Sequence, residues 1–145
     1  MNKVKLTLLL LFFFSIPPVG MLWFWNDMHA KIQANSRPYV EESLKEVFGE
    51  WNYGKFAARA GAAMASTSIP KSEFEKLKEK LGALKSVGPL QKQKSYAADF
   101  EDQIWQHVYG DVELQFEKGA ADVKISVKRP YLSKWVIEDI KITPR

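Results

Sequence analysis

The chain contains no cysteine. That excludes disulfides, thiol catalysis, a lipid-bearing N-terminal cysteine and thiolate-ligated zinc. Histidine is scarce as well: the 2 histidines are His29 and His107. A metal site would therefore have to gather carboxylates around one imidazole, and no spacing here does so. No Gly-rich phosphate loop, Gly-x-Ser-x-Gly elbow or His-Glu-x-x-His pair occurs. Nucleophilic chemistry would rest on scattered serines such as Ser66, Ser68, Ser95 and Ser126. A dense basic block is also missing. The 21 basic and 17 acidic residues leave a net charge of +4, and their interspersion argues against a nucleic-acid partner. Lys71–Lys94 and Lys118–Arg145 lean basic and read as solvated faces, with contact to anionic lipid heads or an acidic partner near the membrane as the sharper alternative. No cofactor and no metal is implied.

Charge itself is absent from Leu6 to Trp25, a run that reads LTLLLLFFFSIPPVGMLWFW between Lys5 and Asp27. An apolar run of about 20 residues is long enough to cross a bilayer as a helix. Trp23 and Trp25 sit where the run meets polar sequence, as interfacial aromatics do. The competing reading is a cleaved signal peptide, whose apolar stretch would be Leu6–Ile16, ended by Pro17-Pro18. Its cleavage sites are poor: Pro18 or Met28 would fill the position that wants a small residue. The preferred reading is an uncleaved anchor over residues 1–25, followed by a linker over 26–36. Lys3 and Lys5 keep the short tail in the cytoplasm. This places a single-pass protein in a bacterial inner membrane with its C-terminal part in the periplasm. Secretion after signal cleavage is the alternative.

Residues 37–145 then form one domain of modest core size. Pro38 suits a first helical turn, and Val40, Leu44, Val47, Phe48 and Trp51 share one helical face. Asn52-Tyr53-Gly54 signals the stop. A second helix is expected over Lys55–Ala65, with Phe56, Ala60 and Met64 on one face and small residues around them. A third follows Pro70, with Ser72 and Glu75 spaced as a capping box, Phe74, Leu77 and Leu81 as its apolar face, and Gly82 as its stop.

Alternation replaces helical spacing beyond Gly82. A strand over Ala83–Gln93 is interrupted at Gly88-Pro89, and Tyr96–Glu101 is a further short one. Trp105–Glu117 and Ala121–Lys128 form a hairpin about Lys118-Gly119. Lys134–Thr143 is the last strand, and its phase slip near Ile137 predicts a bulge. The fold class is α+β: an N-terminal transmembrane helix, then three helices packed on a curved antiparallel sheet of about four strands, shaped as a cone.

Several segments carry a resemblance. They are Trp51-Asn52-Tyr53-Gly54-Lys55-Phe56, the run Phe74…Leu77…Leu81-Gly82…Leu84-Lys85-Ser86, and the ending Val112–Gly119, Val123–Val127 and Trp135–Ile142. Over roughly Pro38–Ile142 the chain resembles the nuclear-transport-factor-two-like, or cystatin-like, superfamily, and within it bacterial envelope domains of unknown function. The resemblance implies the cone fold. It does not choose among the enzymes, ligand binders, dimerisation modules and adaptors that share it.

Enzymes of that superfamily use an Asp or His inside the cone, which would point to His107, Tyr109 and Asp111, alternate residues of one strand face. A solvated strand edge is the plainer reading. Trp51, Tyr53, Phe56 and Trp135, with Ala60 and Met64, are core or the lining of an apolar cone mouth that also takes in His107 and Tyr109. The first functional reading is an outward-facing accessory domain without enzymatic activity, acting through contacts with an envelope protein or a second copy. The second is a binder of a small apolar molecule or lipid. The third is an enzyme built on His107.

Overall fold

The computed structural model describes residues 3–60, 69–100 and 102–145, with side chains from residue 18 onward and without that of Phe100. The chain divides into two compact units, residues 1–31 and 32–145. The expected helix continuation through Ala63 and Met64 lies outside the described residues. Among the described residues no helix is long and apolar enough to cross a membrane. The expected transmembrane helix is thus not among the elements found, and residues 6–17 of the apolar run lie outside those whose side chains are described.

Helix α1 spans Lys3–Gly49. Residues 26–36, read as a linker, are helical, and Pro38 lies inside a helix rather than in its first turn. Pro38 has no N–H to donate back to Ala34, which weakens the helix there. Burial offsets that loss: Ile32 and Ser36 extend the stripe of Val40, Leu44, Val47 and Phe48 by further helical turns, and all are buried. Trp51 stops the helix with a φ of 48°. The first helix thus ends close to the expected stop, and Asn52 there also caps α2 (Tyr53–Arg59) by accepting from the Lys55 N–H.

Helix α3 (Lys71–Leu81) begins one residue before the expected capping serine. Pro70 is the cap residue and no side chain bonds it. The Ser72–Glu75 capping box is therefore not formed, because the Pro70 carbonyl already accepts from Glu73 and Phe74. Gly82 ends α3 as expected, with a φ of 73° that a side chain would strain.

The sheet has five strands: β1 (Leu84–Val87), β2 (Gln91–Phe100), β3 (Gln103–Phe116), β4 (Gly119–Pro130) and β5 (Val136–Pro144), all antiparallel. β1 and β2 both pair with β3, at its two ends. They are one lane broken at Gly88-Pro89-Leu90, so the about four strands of the sequence reading are four lanes. Leu90 is buried across Gly110, where a Cβ would stand only 2.3 Å from Leu90 Cδ1. The expected bulge exists: Ser126 pairs with Asp139 but Val127 with Ile137, leaving Glu138 without a partner of its own.

One face of the sheet carries Val108, Val112, Leu114, Phe116, Ala121, Val123, Ile125, Ile137 and Ile140, all buried. The helices cover it. Phe48 and Trp51 from the end of α1, Phe56 from α2 and Phe74 from α3 meet Phe116 in one aromatic cluster, with centroid separations of 5.3–6.4 Å. Edge-on and offset rings of this kind contribute beyond area burial alone.

Candidate functional site

Strict alternation along β3 puts His107, Tyr109 and Asp111 on one face, as the sequence implies, but it is the outer face, away from the helices. Val108, Gly110 and Val112 point to the core instead. The cone interior expected around His107 is filled by the aromatic cluster. Trp51 and Phe56 are buried within it, and Tyr53 leans on Phe56 and Phe74. Trp51 is further fixed by its indole N–H, which donates to the Gly82 carbonyl at 2.8 Å. Ala60 ends α2 and bridges to Ile137. Trp135 lies under the guanidinium of Arg129, 4.5 Å from its centroid. The eight residues named for a cone lining are therefore not brought together: Trp51 and Phe56 are core with half-buried Tyr53 packed against them, His107 and Tyr109 are on the opposite face of the sheet, and Met64 lies outside the described residues.

The outer face has its own organisation. Tyr96 of β2 pairs with His107 of β3, which pairs with Lys128 of β4. The Tyr96 and His107 rings stack with centroids 4.4 Å apart and planes 6° from parallel. Tyr109 donates its hydroxyl to that of Tyr96 at 2.9 Å. Glu138 joins these strands because the bulge turns it outward. Its Oε2 lies 3.2 Å from His107 Nδ1 and accepts from the Ser126 hydroxyl at 3.0 Å, and its Oε1 lies 3.4 Å from Lys128 Nζ. Burial pushes the Glu138 carboxyl up, but Ser126, His107 and Lys128 together outweigh it and leave the carboxyl below its ordinary range. Burial, the Tyr96 hydroxyl and Glu138 all push the Tyr109 phenol up.

Beside this cluster runs an open groove of about 510 Å³, lined by Lys92, Lys94, Tyr109, Lys124, Ser126 and Glu138 among others. Asp111 stands at its wall with Lys92 Nζ 3.4 Å away. Beyond it, Arg145 is bonded to Asp122 and lies 3.2 Å from Glu113.

The outer-face residues do not converge on one reacting atom. His107 and Asp111 are four residues apart on one strand, about 13 Å, too far to act on one reacting atom. The Ser126 hydroxyl donates to the Glu138 carboxylate rather than to the imidazole. Among the described residues no group of His, Asp and Glu is arranged to hold a metal. The sequence reading missed Tyr96, Lys128 and Glu138 as partners of His107. The phase slip at Ile137 was the one available signal for Glu138, and strand register, invisible without pairing, decided the other two.

Compared with known proteins, the chain matches no family model, no curated protein and no solved structure.

Proposed function

We propose that this protein is a membrane-anchored, outward-facing domain without enzymatic activity, and that it works through protein contacts made by the open face of its sheet. The observation that carries the reading is the outer face itself. No helix of the described domain covers it, yet it holds half-exposed Tyr96 and Tyr109, a stacked imidazole and ion pairs of both signs around one groove. Tyrosine-rich patches with a charged rim are the composition of interface centres.

Acidic Asp111, Glu113, Asp122 and Asp139 alternate with basic Lys92, Lys94, Lys124 and Lys141 on this face. A surface bearing both signs complements itself under a two-fold axis, so a second copy of the chain fits it best. Leu6–Trp25 supplies the anchor in this reading. Lys3 and Lys5 set the orientation, which places the domain in a bacterial periplasm. Kinship with the nuclear-transport-factor-two-like superfamily belongs to the same proposal. Its support is the set of sequence segments over roughly Pro38–Ile142 that carry the resemblance.

A photo-crosslinking residue at position 109 or 124 of the intact chain in its own membrane tests this. A product of twice the chain mass, or an adduct with one defined neighbour, upholds contact through the face. Uncrosslinked protein at both positions, with efficient photolysis, rejects it.

A further inference from the structure

The turn between β4 and β5 carries the most exposed apolar side chains among the described residues of the domain. Leu132 is 82 % exposed and Tyr131 59 %, and Ile104 on β3 is 53 % exposed. They form one patch, because the Tyr131 N–H donates to the Ile104 carbonyl at 2.8 Å and Trp105 pairs with Pro130. Ser133 N–H closes the turn on the Pro130 carbonyl at 2.9 Å, and Leu132 is held at a φ of 60°. A leucine in the left-handed region carries a steric cost, and at this exposure little packing within the fold offsets it. Lys134 and Arg129 flank the turn. Asp99 near the end of β2 and Asp102 in the β2–β3 turn lie on the neighbouring hairpin, with Glu101 between them in sequence, so the end as a whole carries no basic excess.

The position of this end in the domain is set by two contacts. Arg37 donates to Gln93 Oε1 at 2.9–3.0 Å, and Gln33 to the Ser95 hydroxyl at 3.2 Å. Going back along α1 from Arg37 to Ile32 therefore follows β2 forward, towards its C-terminal end. From Ser95, β2 continues five residues to Phe100, about 17 Å at about 3.3 Å per residue. The β2–β3 and β4–β5 turns thus project past Ile32 at the end of the domain where the preceding chain arrives. Seven residue steps separate Ile32 from Trp25, the last residue of the apolar run, and these span at most ~25 Å.

We propose that this end of the domain rests on the lipid bilayer, with Tyr131 and Leu132 inserted at the depth of the headgroups. The inference rests on Leu6–Trp25 being the anchor. The short connection then holds the turns within reach of the membrane surface, so a patch too small to bind lipid by itself docks because it is tethered. An aromatic and an aliphatic side chain with cations at their flanks is the amphipathic pattern of interfacial segments. With no basic excess around the turn, insertion rather than attraction to anionic headgroups is the source of the contact. Docked in this way, the open sheet face stands edge-on to the membrane and stays accessible to a partner in the same bilayer.

The absence of cysteine makes the test direct. Single cysteines at Leu132→Cys, Tyr131→Cys, Lys118→Cys and Leu10→Cys are labelled with an environment-sensitive fluorophore. Each full chain is reconstituted into vesicles of phosphatidylcholine and phosphatidylglycerol, with and without doxyl-labelled lipid. Labels at 131 and 132 are expected to show a blue-shifted emission that doxyl lipid largely removes, while the label at 118, on the β3–β4 turn at the far end, does neither. Position 131 reads the same patch if the 132 variant misfolds. Water-like, unquenched labels at 131 and 132 beside a quenched label at 10 overturn the docking and leave the anchor standing. Unquenched labels at all positions overturn both. A blue shift at 131 and 132 that doxyl lipid does not touch means burial against protein, and also overturns the docking.

Discussion

His107 is stacked on Tyr96 with ring planes 6° from parallel. The pair welds β2 to β3 on the outer face, and Glu138 draws β4 and β5 into the same cluster through Ser126, Lys128 and His107. All four lanes of the sheet are therefore joined by one outward polar network, in which a single carboxylate makes the links to β4 and β5.

Acid should loosen that network. Glu138 has a depressed folded-state pKa, so its contribution is complete above the ordinary glutamate value of about 4.3 and is lost as pH falls through the folded value. Denaturant midpoints of the full chain measured from pH 7 down to pH 3 should fall below about pH 4.3. Glu138→Gln should flatten that fall. Equal slopes in the two proteins would remove Glu138 from the account.

Phe74 touches Phe48, Trp51, Tyr53 and Phe56 and is fully buried. Phe74→Ala should cost about 3–5 kcal/mol, the range for a large aromatic replaced in a core. Urea unfolding followed by tryptophan emission measures it. A cost under about 1 kcal/mol, the level of a tolerated surface change, would mean that α3 is not held by this cluster.

Trp51→Phe keeps the ring packing but removes the donor to the Gly82 carbonyl. The expected loss is about 1 kcal/mol, that of a part-buried hydrogen bond removed. Hydrogen exchange should localise the change to the start of β1 and the end of α3. Uniform loss of protection across the sheet would contradict this.

At Gly110 a Cβ would overlap Leu90 Cδ1. Gly110→Ala should destabilise by about 1–3 kcal/mol through overpacking. Combined with Leu90→Ala it should cost less than the two single changes added together, because each makes room for the other. Strict additivity in equilibrium denaturation would show that the two residues do not compete for the same space.

The sequence shows the helix order, the alternating strands, the Gly88-Pro89 break, the Gly82 stop and the bulge near Ile137, because each rests on local chemistry. The capping box failed because Pro70, one residue earlier, already provides the carbonyl for the first turn. The boundary between the two units falls within the expected linker over 26–36, but its helical conformation was not legible, because polar side chains hid a buried stripe of only Ile32 and Ser36. The candidate site was half legible. Alternation was enough to put His107, Tyr109 and Asp111 together, but which face of the sheet the helices cover is decided by where Val108 and Val112 go, and by helices far away in sequence. The Tyr96 stack depends on pairing between strands and leaves no local trace.

The sheet is a meander in which β2 to β5 each pair with the next strand along the chain. Its ladders close over short loops, whereas the helices, synthesised first, pack on strands made much later. During synthesis Phe48, Phe56 and Phe74 leave the ribosome with nothing to cover them until β3 and β4 have followed. A nascent chain stalled near Gly119 would then present three unburied rings, so for this architecture the hazard of misassembly is concentrated in the interval before the second half of the sheet emerges.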